Sequence, residues 1–163
     1  MIQACCGPCA IAACTDEWAD QFEFIEFFFN GDNFDSRTEY LKRKRALDIV
    51  MRTFLGRKLV CVDKYMPVEF MSCEHCIEYR LRRTAEVAGF LGFDCFATTL
   101  TVSPHKSAEM INKIGQKVAI ATGMPYVETN FKKNDGFKRT VEISKELGLY
   151  RQNYCGCKRS MLK

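Results

Sequence analysis

An α/β fold, with a mainly parallel sheet covered by helices on both faces, is predicted by three observations. Short apolar runs alternate with amphipathic segments of helical period; no repeat, low-complexity tract or linker interrupts them; and 163 residues with 47% apolar content is the size and composition of one domain with one core. A single α/β metal-binding domain over residues 1–163 is therefore expected, with a cysteine-containing tail after the last helix.

Met1 to Ala4 reads as the end of a short strand that leads directly into a cysteine cluster. Phe22 to Phe29 is a dense aromatic run and reads as the next strand, its rings destined for the core, with at most the final ones touching a base. Ser36-Arg37-Thr38-Glu39 has the form of a capping box. The helix it opens carries Leu47, Val50, Met51 and Phe54 on one face and stops near Gly56. Leu59 to Val62 is a third strand. A helix beginning near Cys73 presents Ile77, Leu81, Thr84, Ala85 and Ala88 to the core and ends at Gly89 or Gly92. Cys76 then falls in its first turn, where the helix dipole favours a thiolate. Asp94 to Leu100 and Tyr126 to Phe131 are further strands. Between them lies a helix with Met110, Ile111, Ile114 and Val118 on its core face, ending before Gly123-Met124-Pro125. A last helix, with Phe137, Val141 and Ser144 inward, ends before Gly148. Ligands of such sheets gather beyond the carboxyl ends of the strands, and the first cysteine cluster occupies that kind of loop.

Composition narrows the function classes. No apolar run is long enough to span a bilayer and the N-terminus lacks the regions of a secretory signal, so a cytoplasmic protein without membrane contact is expected. In a reducing cytosol, cysteines point to metal or redox chemistry before disulfides. The net charge of +4, from 24 basic and 20 acidic residues, carries no strong polyanion signal. Its distribution reads two ways. Lys42 to Arg45, Arg80 with Arg82 and Arg83, and the basic final third (Lys132, Lys133, Lys138, Arg139, Lys158, Arg159) form either phosphate-tracking patches or solvated helix faces. A glycine-rich dinucleotide fingerprint and a P-loop are both missing, so nicotinamide, flavin or ATP use has no motif support.

Seven of the ten cysteines fall into three clusters, Cys5-Cys6-Gly7-Pro8-Cys9, Cys73-Glu74-His75-Cys76 and Cys155-Gly156-Cys157. Each alone is ambiguous between a zinc half-site, a redox pair and chance. Together they offer more thiolates than one tetrahedral zinc can use, which favours an iron-sulfur centre. Cys14, Cys61 and Cys95 sit in helical or strand contexts and read as small buried apolar residues.

Across nearly its whole length the chain resembles the QueH-type epoxyqueuosine reductases. The resemblance rests on Ala4-Cys5-Cys6-Gly7-Pro8-Cys9, Glu39-Tyr40-Leu41-Lys42-Arg43-Lys44, Cys73-Glu74-His75-Cys76 with Arg80-Leu81, Thr98-Thr99-Leu100-Thr101-Val102-Ser103-Pro104, and Leu147 to Cys157. It implies a Rossmann-like fold related to the adenine nucleotide hydrolases. It also implies cobalamin-independent reduction of the epoxide of epoxyqueuosine in tRNA to queuosine, the last step of queuosine biosynthesis. The implied cofactors are a [4Fe-4S] cluster and an additional mononuclear iron, held by Cys5, Cys6, Cys9, Cys73, Cys76, Cys155 and Cys157. The chain departs from the family in a short strand before Cys5, in Asn30-Gly31-Asp32 where Asn-Pro-Asn is commoner, in a shortened segment before Cys73, and in Cys9, where some members carry aspartate.

Removing an epoxide oxygen as water needs two electrons, two protons and stabilisation of charge on oxygen. An external electron donor and iron as Lewis acid meet the first and last needs. His105, Tyr154 and Asp32 are the proton-donor candidates, each with a structural alternative: His105 as a loop or capping residue, Tyr154 as a shield for a cysteine. Arg80 and Arg151 are candidates for a tRNA phosphate or for ion pairs within the protein. Thr98, Thr99 and Ser103 either line the pocket or finish a strand and cap the next helix. The competing function is a zinc-stabilised RNA-binding module without redox activity. A thiol-disulfide or sulfur-transfer role for Cys73 and Cys76 ranks behind both, since it leaves the other clusters unexplained.

Overall fold

The computed structural model describes residues 1–16, 19, 26–28, 37–55, 60–61, 72–155 and 160. Within them a parallel sheet forms from β1 (Ile2–Ala4), β2 (Glu26–Phe28), β3 (Val60–Cys61) and β4 (Ala97–Thr98), in the order β3-β2-β1-β4. The helices are α1 (Gly7–Cys14), α2 (Arg37–Val50, continued by a π turn through Leu55), α3 (Cys73–Phe90), α4 (Ala108–Thr122) and α5 (Gly136–Glu146). An α/β fold is what the alternation predicts.

Strand alternation distributes the helices. Ile2 and Ala4 point to the face where α1, α2 and α5 pack, whereas Met1 and Phe96 join Ile77, Leu81, Ala85, Ile111 and Val118 from α3 and α4 on the other. Each fully buried aliphatic chain such as Ile11 or Leu81 contributes about 1.5–3 kcal/mol relative to exposure. Inside the second layer, buried Gln3 of β1 accepts a hydrogen bond from Thr98 Oγ1 of β4 at 2.8 Å. Among the described residues no helix is long and apolar enough to cross a membrane.

The expected core face of α3 is buried throughout, and Ser72 caps the helix by accepting from His75 N at 3.1 Å. Elsewhere the sequence reading and the structure differ for local reasons. The run 94–100 is a strand only to Thr98, because Thr98 Oγ1 accepts from Leu100 N at 3.1 Å and turns the chain into a 3-10 turn over Thr99–Val102. Of 126–131 only Tyr126 bridges the sheet, to Phe96. Asn112 of α4 takes over beyond it, donating to Thr129 O and accepting from Thr129 N, so no neighbouring strand is needed there. Phe137 is 43% exposed rather than core. The inward face of α5 is Gly136, Thr140 and Ser144, small residues that let it lie close on the alanine-rich α1. Phe54 also stands partly in solvent. The capping Ser36 and the stop at Gly56 lie outside the described residues.

Candidate metal centre

The turn after β1 is the head of the site. Cys6 is the N-cap of α1, with extended backbone (φ −172°), and Pro8 starts the helix where no amide donor is needed. One turn then carries Cys5, Cys6 and Cys9, whose sulfurs all lie within 4.8 Å of one another. Gly7 sits against α2, where a Cβ would come 2.5 Å from the Ala46 carbonyl oxygen. Only glycine allows that approach, and it fixes the cysteine turn on α2.

The tail arrives on the same helix. Arg43 of α2 is buried, its Nε donating to Glu39 Oε1 at 2.6 Å, Nη1 to the carbonyl of Cys155 at 3.1 Å and Nη2 to that of Tyr154 at 3.2 Å. Tyr150 Oη donates to the other Glu39 oxygen at 2.5 Å, and the Arg43 guanidinium lies 5.1 Å from the Tyr154 ring centroid. Gln152 closes the link to the head by donating from Nε2 to Cys6 Sγ at 2.8 Å. The middle cluster enters through α3. Cys76 Sγ accepts from Arg80 Nε, one turn on, at 3.2 Å.

Electrostatics tie the three regions to one place. The Cys5 thiol is held well below the usual range by S–H donation from Cys6 and Cys9, with the Arg80 and Arg43 guanidiniums adding to the effect against burial. Cys6 is pushed up mainly by burial, Cys9 by its hydrogen bonds to Cys5 and Cys6, and Cys155 by burial against the pull of Arg80 and Lys106. Within the triad, Cys5 is therefore the thiol that gives up its proton most readily. Burial disfavours the Arg80 charge, yet Cys76, Cys155 and Cys5 keep its pKa above the ordinary value.

A thiophilic metal fits these residues. Three sulfurs within 4.8 Å need little contraction to reach the roughly 3.8 Å edge of a tetrahedral site with metal-sulfur bonds of about 2.3 Å. Two buried polar atoms beside the thiols, Arg80 Nη1 and Gln152 Oε1, have no protein hydrogen-bond partner. Orphaned buried polar groups of that kind call for a bound group or water.

Of the other residues predicted from the sequence, Cys73 is exposed and Cys14 and Cys95 are half-buried. Asp32, Cys157 and the Cys61 side chain lie outside the described residues. Tyr154 is half-buried under Arg43, and His105 and Arg151 are exposed. Arg80 is only 3% exposed, so its guanidinium faces the thiols and not an outer surface. Thr98 is occupied by Gln3 and Leu100, Thr99 is buried with an unpartnered hydroxyl, and Ser103 comes directly after the 3-10 turn. A hollow of about 700 Å³ between α4 and residues 128–134 contains none of the cysteines and is not the metal site. The sequence reading missed Glu39, Arg43, Tyr150 and Gln152 as parts of the centre. A Glu-x-x-x-Arg pair inside a basic run was the one available signal.

The chain is similar to known proteins along its whole length. The family description "Epoxyqueuosine reductase QueH" matches residues 1–163. A protein of Streptococcus pyogenes named epoxyqueuosine reductase QueH is 34% identical over 96% of this chain and 68% of its own length. The one from Thermotoga maritima is 34% identical over 100% of this chain and 90% of its own. That of Staphylococcus epidermidis is 30% identical over 96% and 74%.

Proposed function

Because the chain belongs to the epoxyqueuosine reductase QueH family, we propose that it is an oxidoreductase that converts epoxyqueuosine in tRNA to queuosine without cobalamin, using a [4Fe-4S] cluster and an adjacent mononuclear iron. The observation that carries the reading is the cluster of Cys5, Cys6 and Cys9, to which Gln152 ties the tail and beside which Arg80 binds Cys76. Strand order β3-β2-β1-β4 supports a Rossmann-like domain of the adenine nucleotide hydrolase type. The working place is the cytoplasm, with tRNA as substrate and an external electron donor as partner.

Cys5, Cys6, Cys9, Cys76 and Cys155 would hold the metals, with Cys73 and Cys157 completing the set. When bound, such a centre supplies single electrons and Lewis acidity at an oxygen. The chain's own residues do the rest. Arg80 and Arg43 lower the cost of thiolate charge at Cys5, and the turn at Gly7 and the Arg43 clamp hold the sulfurs in register. Tyr154, whose ring centroid lies 5.1 Å from the Arg43 guanidinium, would hold a proton at its Oη, with Asp32 and His105 as the further donors. Arg151, exposed on the segment that closes the site, would bind a tRNA phosphate, and half-buried Ser103 would lie at the edge of the pocket.

Protein purified without oxygen is expected to contain iron and sulfide, to show broad visible absorption that bleaches on reduction, and to convert epoxyqueuosine to queuosine in tRNA, read by nucleoside mass spectrometry. A colourless, iron-free and fully active preparation would refute this reading. Tightly bound zinc with RNA affinity and no redox band would favour a zinc-stabilised RNA-binding module instead.

A further inference from the structure

Arg80 is a buried cation without a carboxylate partner among the described residues. Its Nε is spent on Cys76 Sγ at 3.2 Å, and its Nη1 has no protein acceptor. A charge in that position is costly unless something anionic balances it. Arg43, the other buried guanidinium of the site, already has Glu39 and two backbone carbonyls. Among the described residues, the groups that can balance Arg80 are sulfurs: Cys76 Sγ accepts from its Nε at 3.2 Å, and Cys155 and Cys5 lie within its electrostatic reach.

We infer that Arg80 is a positioning residue of the redox centre, which donates to the Cys76 sulfur, offers its remaining N–H group to the bound group, and biases that centre towards its reduced state. This rests on the metal-centre reading above. The physical reason is charge. Each electron added to a buried cluster adds negative charge in a medium of low dielectric, and a fixed cation with N–H groups on the ligating sulfurs favours that state over the oxidised one. The burial of Arg80 assigns it this work in place of a contact with tRNA phosphate, which an exposed residue such as Arg151 is free to make.

The test is a spectroelectrochemical titration of the visible band in the full chain, reconstituted without oxygen, for wild type, Arg80→Gln and Arg80→Lys. The midpoint of Arg80→Gln is expected to move to more negative potential at unchanged iron and sulfide per chain. Arg80→Lys, which keeps the charge and loses the planar fork, is expected to lie between. An unshifted Arg80→Gln midpoint at full metal content overturns the inference. If Arg80→Gln fails to fold or load, Arg80→Met, neutral and closer in length, takes its place: a negative shift supports the role and a wild-type midpoint overturns it. Arg151→Gln serves as the control for surface charge and should leave the midpoint in place. The two readings fail separately, since a wild-type protein with no reducible band sinks the metal-centre reading and this inference with it, whereas a normal band with unmoved variants sinks only the inference.

Discussion

Replacing Arg43 by glutamine tests whether α2 holds the tail. The side chain is fully buried; among the described residues it pairs with Glu39 at 2.6 Å and donates to two backbone carbonyls, at 3.1 and 3.2 Å. Glutamine cannot span all three, and it leaves Glu39, 7% exposed, with Tyr150 but without its cation. Breaking a buried pair from one side costs about 3–5 kcal/mol, a large part of the roughly 5–15 kcal/mol of a typical domain. With a urea slope of about 2 kcal/mol/M, the unfolding midpoint of metal-free protein should fall by roughly 1.5–2.5 M. Removing both charges in Glu39→Leu/Arg43→Leu should recover much of that loss, because no buried ion is stranded. Cys155 should still become more reactive to iodoacetamide in both proteins, measured by peptide mass spectrometry, since neither anchors its carbonyl. A drop below about 1 kcal/mol in the single variant, or wild-type reactivity at Cys155, would show that α2 does not position the tail.

Gly7→Ala should drive α1 from α2, because the new methyl meets the Ala46 backbone at 2.5 Å; overpacking of this kind costs about 1–3 kcal/mol and should lower metal uptake in the same preparation. Cys155→Ser should reduce iron occupancy and activity together, whereas loss of activity at full metal content would assign Cys155 to the substrate. The metal-free protein should lose thermal stability as pH rises from about 8.5 to 10. Cys6, Cys9 and Cys155 have folded pKa values above their unfolded ones, so their contribution is whole below the ordinary thiol value of about 8.5 and is lost as pH rises through the folded values. Cys5, lowered by its neighbours, works in the opposite sense, but its contribution is already complete above the ordinary thiol value and does not offset the loss. A melting temperature that rises over this range would contradict the assigned directions.

The elements most legible in the sequence are those whose signals are local. Ser72 and the apolar spacing from Ile77 to Ala88 define α3 without help from the rest of the chain, and Gly123 (φ 71°) ends α4 as a left-handed cap. The features that escaped the sequence depend on partners remote along the chain. The strand expected over 126–131 gives way because Asn112 satisfies the backbone at Thr129, and Phe137 stands outward because α5 meets the small residues of α1. The same holds at the site. Cysteine spacing nominates ligands, but the links from Arg43 to Cys155 and from Gln152 to Cys6 span more than a hundred residues and leave no periodic trace.

Helix α2 has a consequence for how this chain tolerates changes of length. Arg43 meets the tail and Ala46 meets the cysteine turn within a single helical repeat. One residue inserted between them would swing one contact about 100° around the axis relative to the other. Insertions and deletions in that short stretch should therefore be far less tolerated than substitutions, however conservative the added residue.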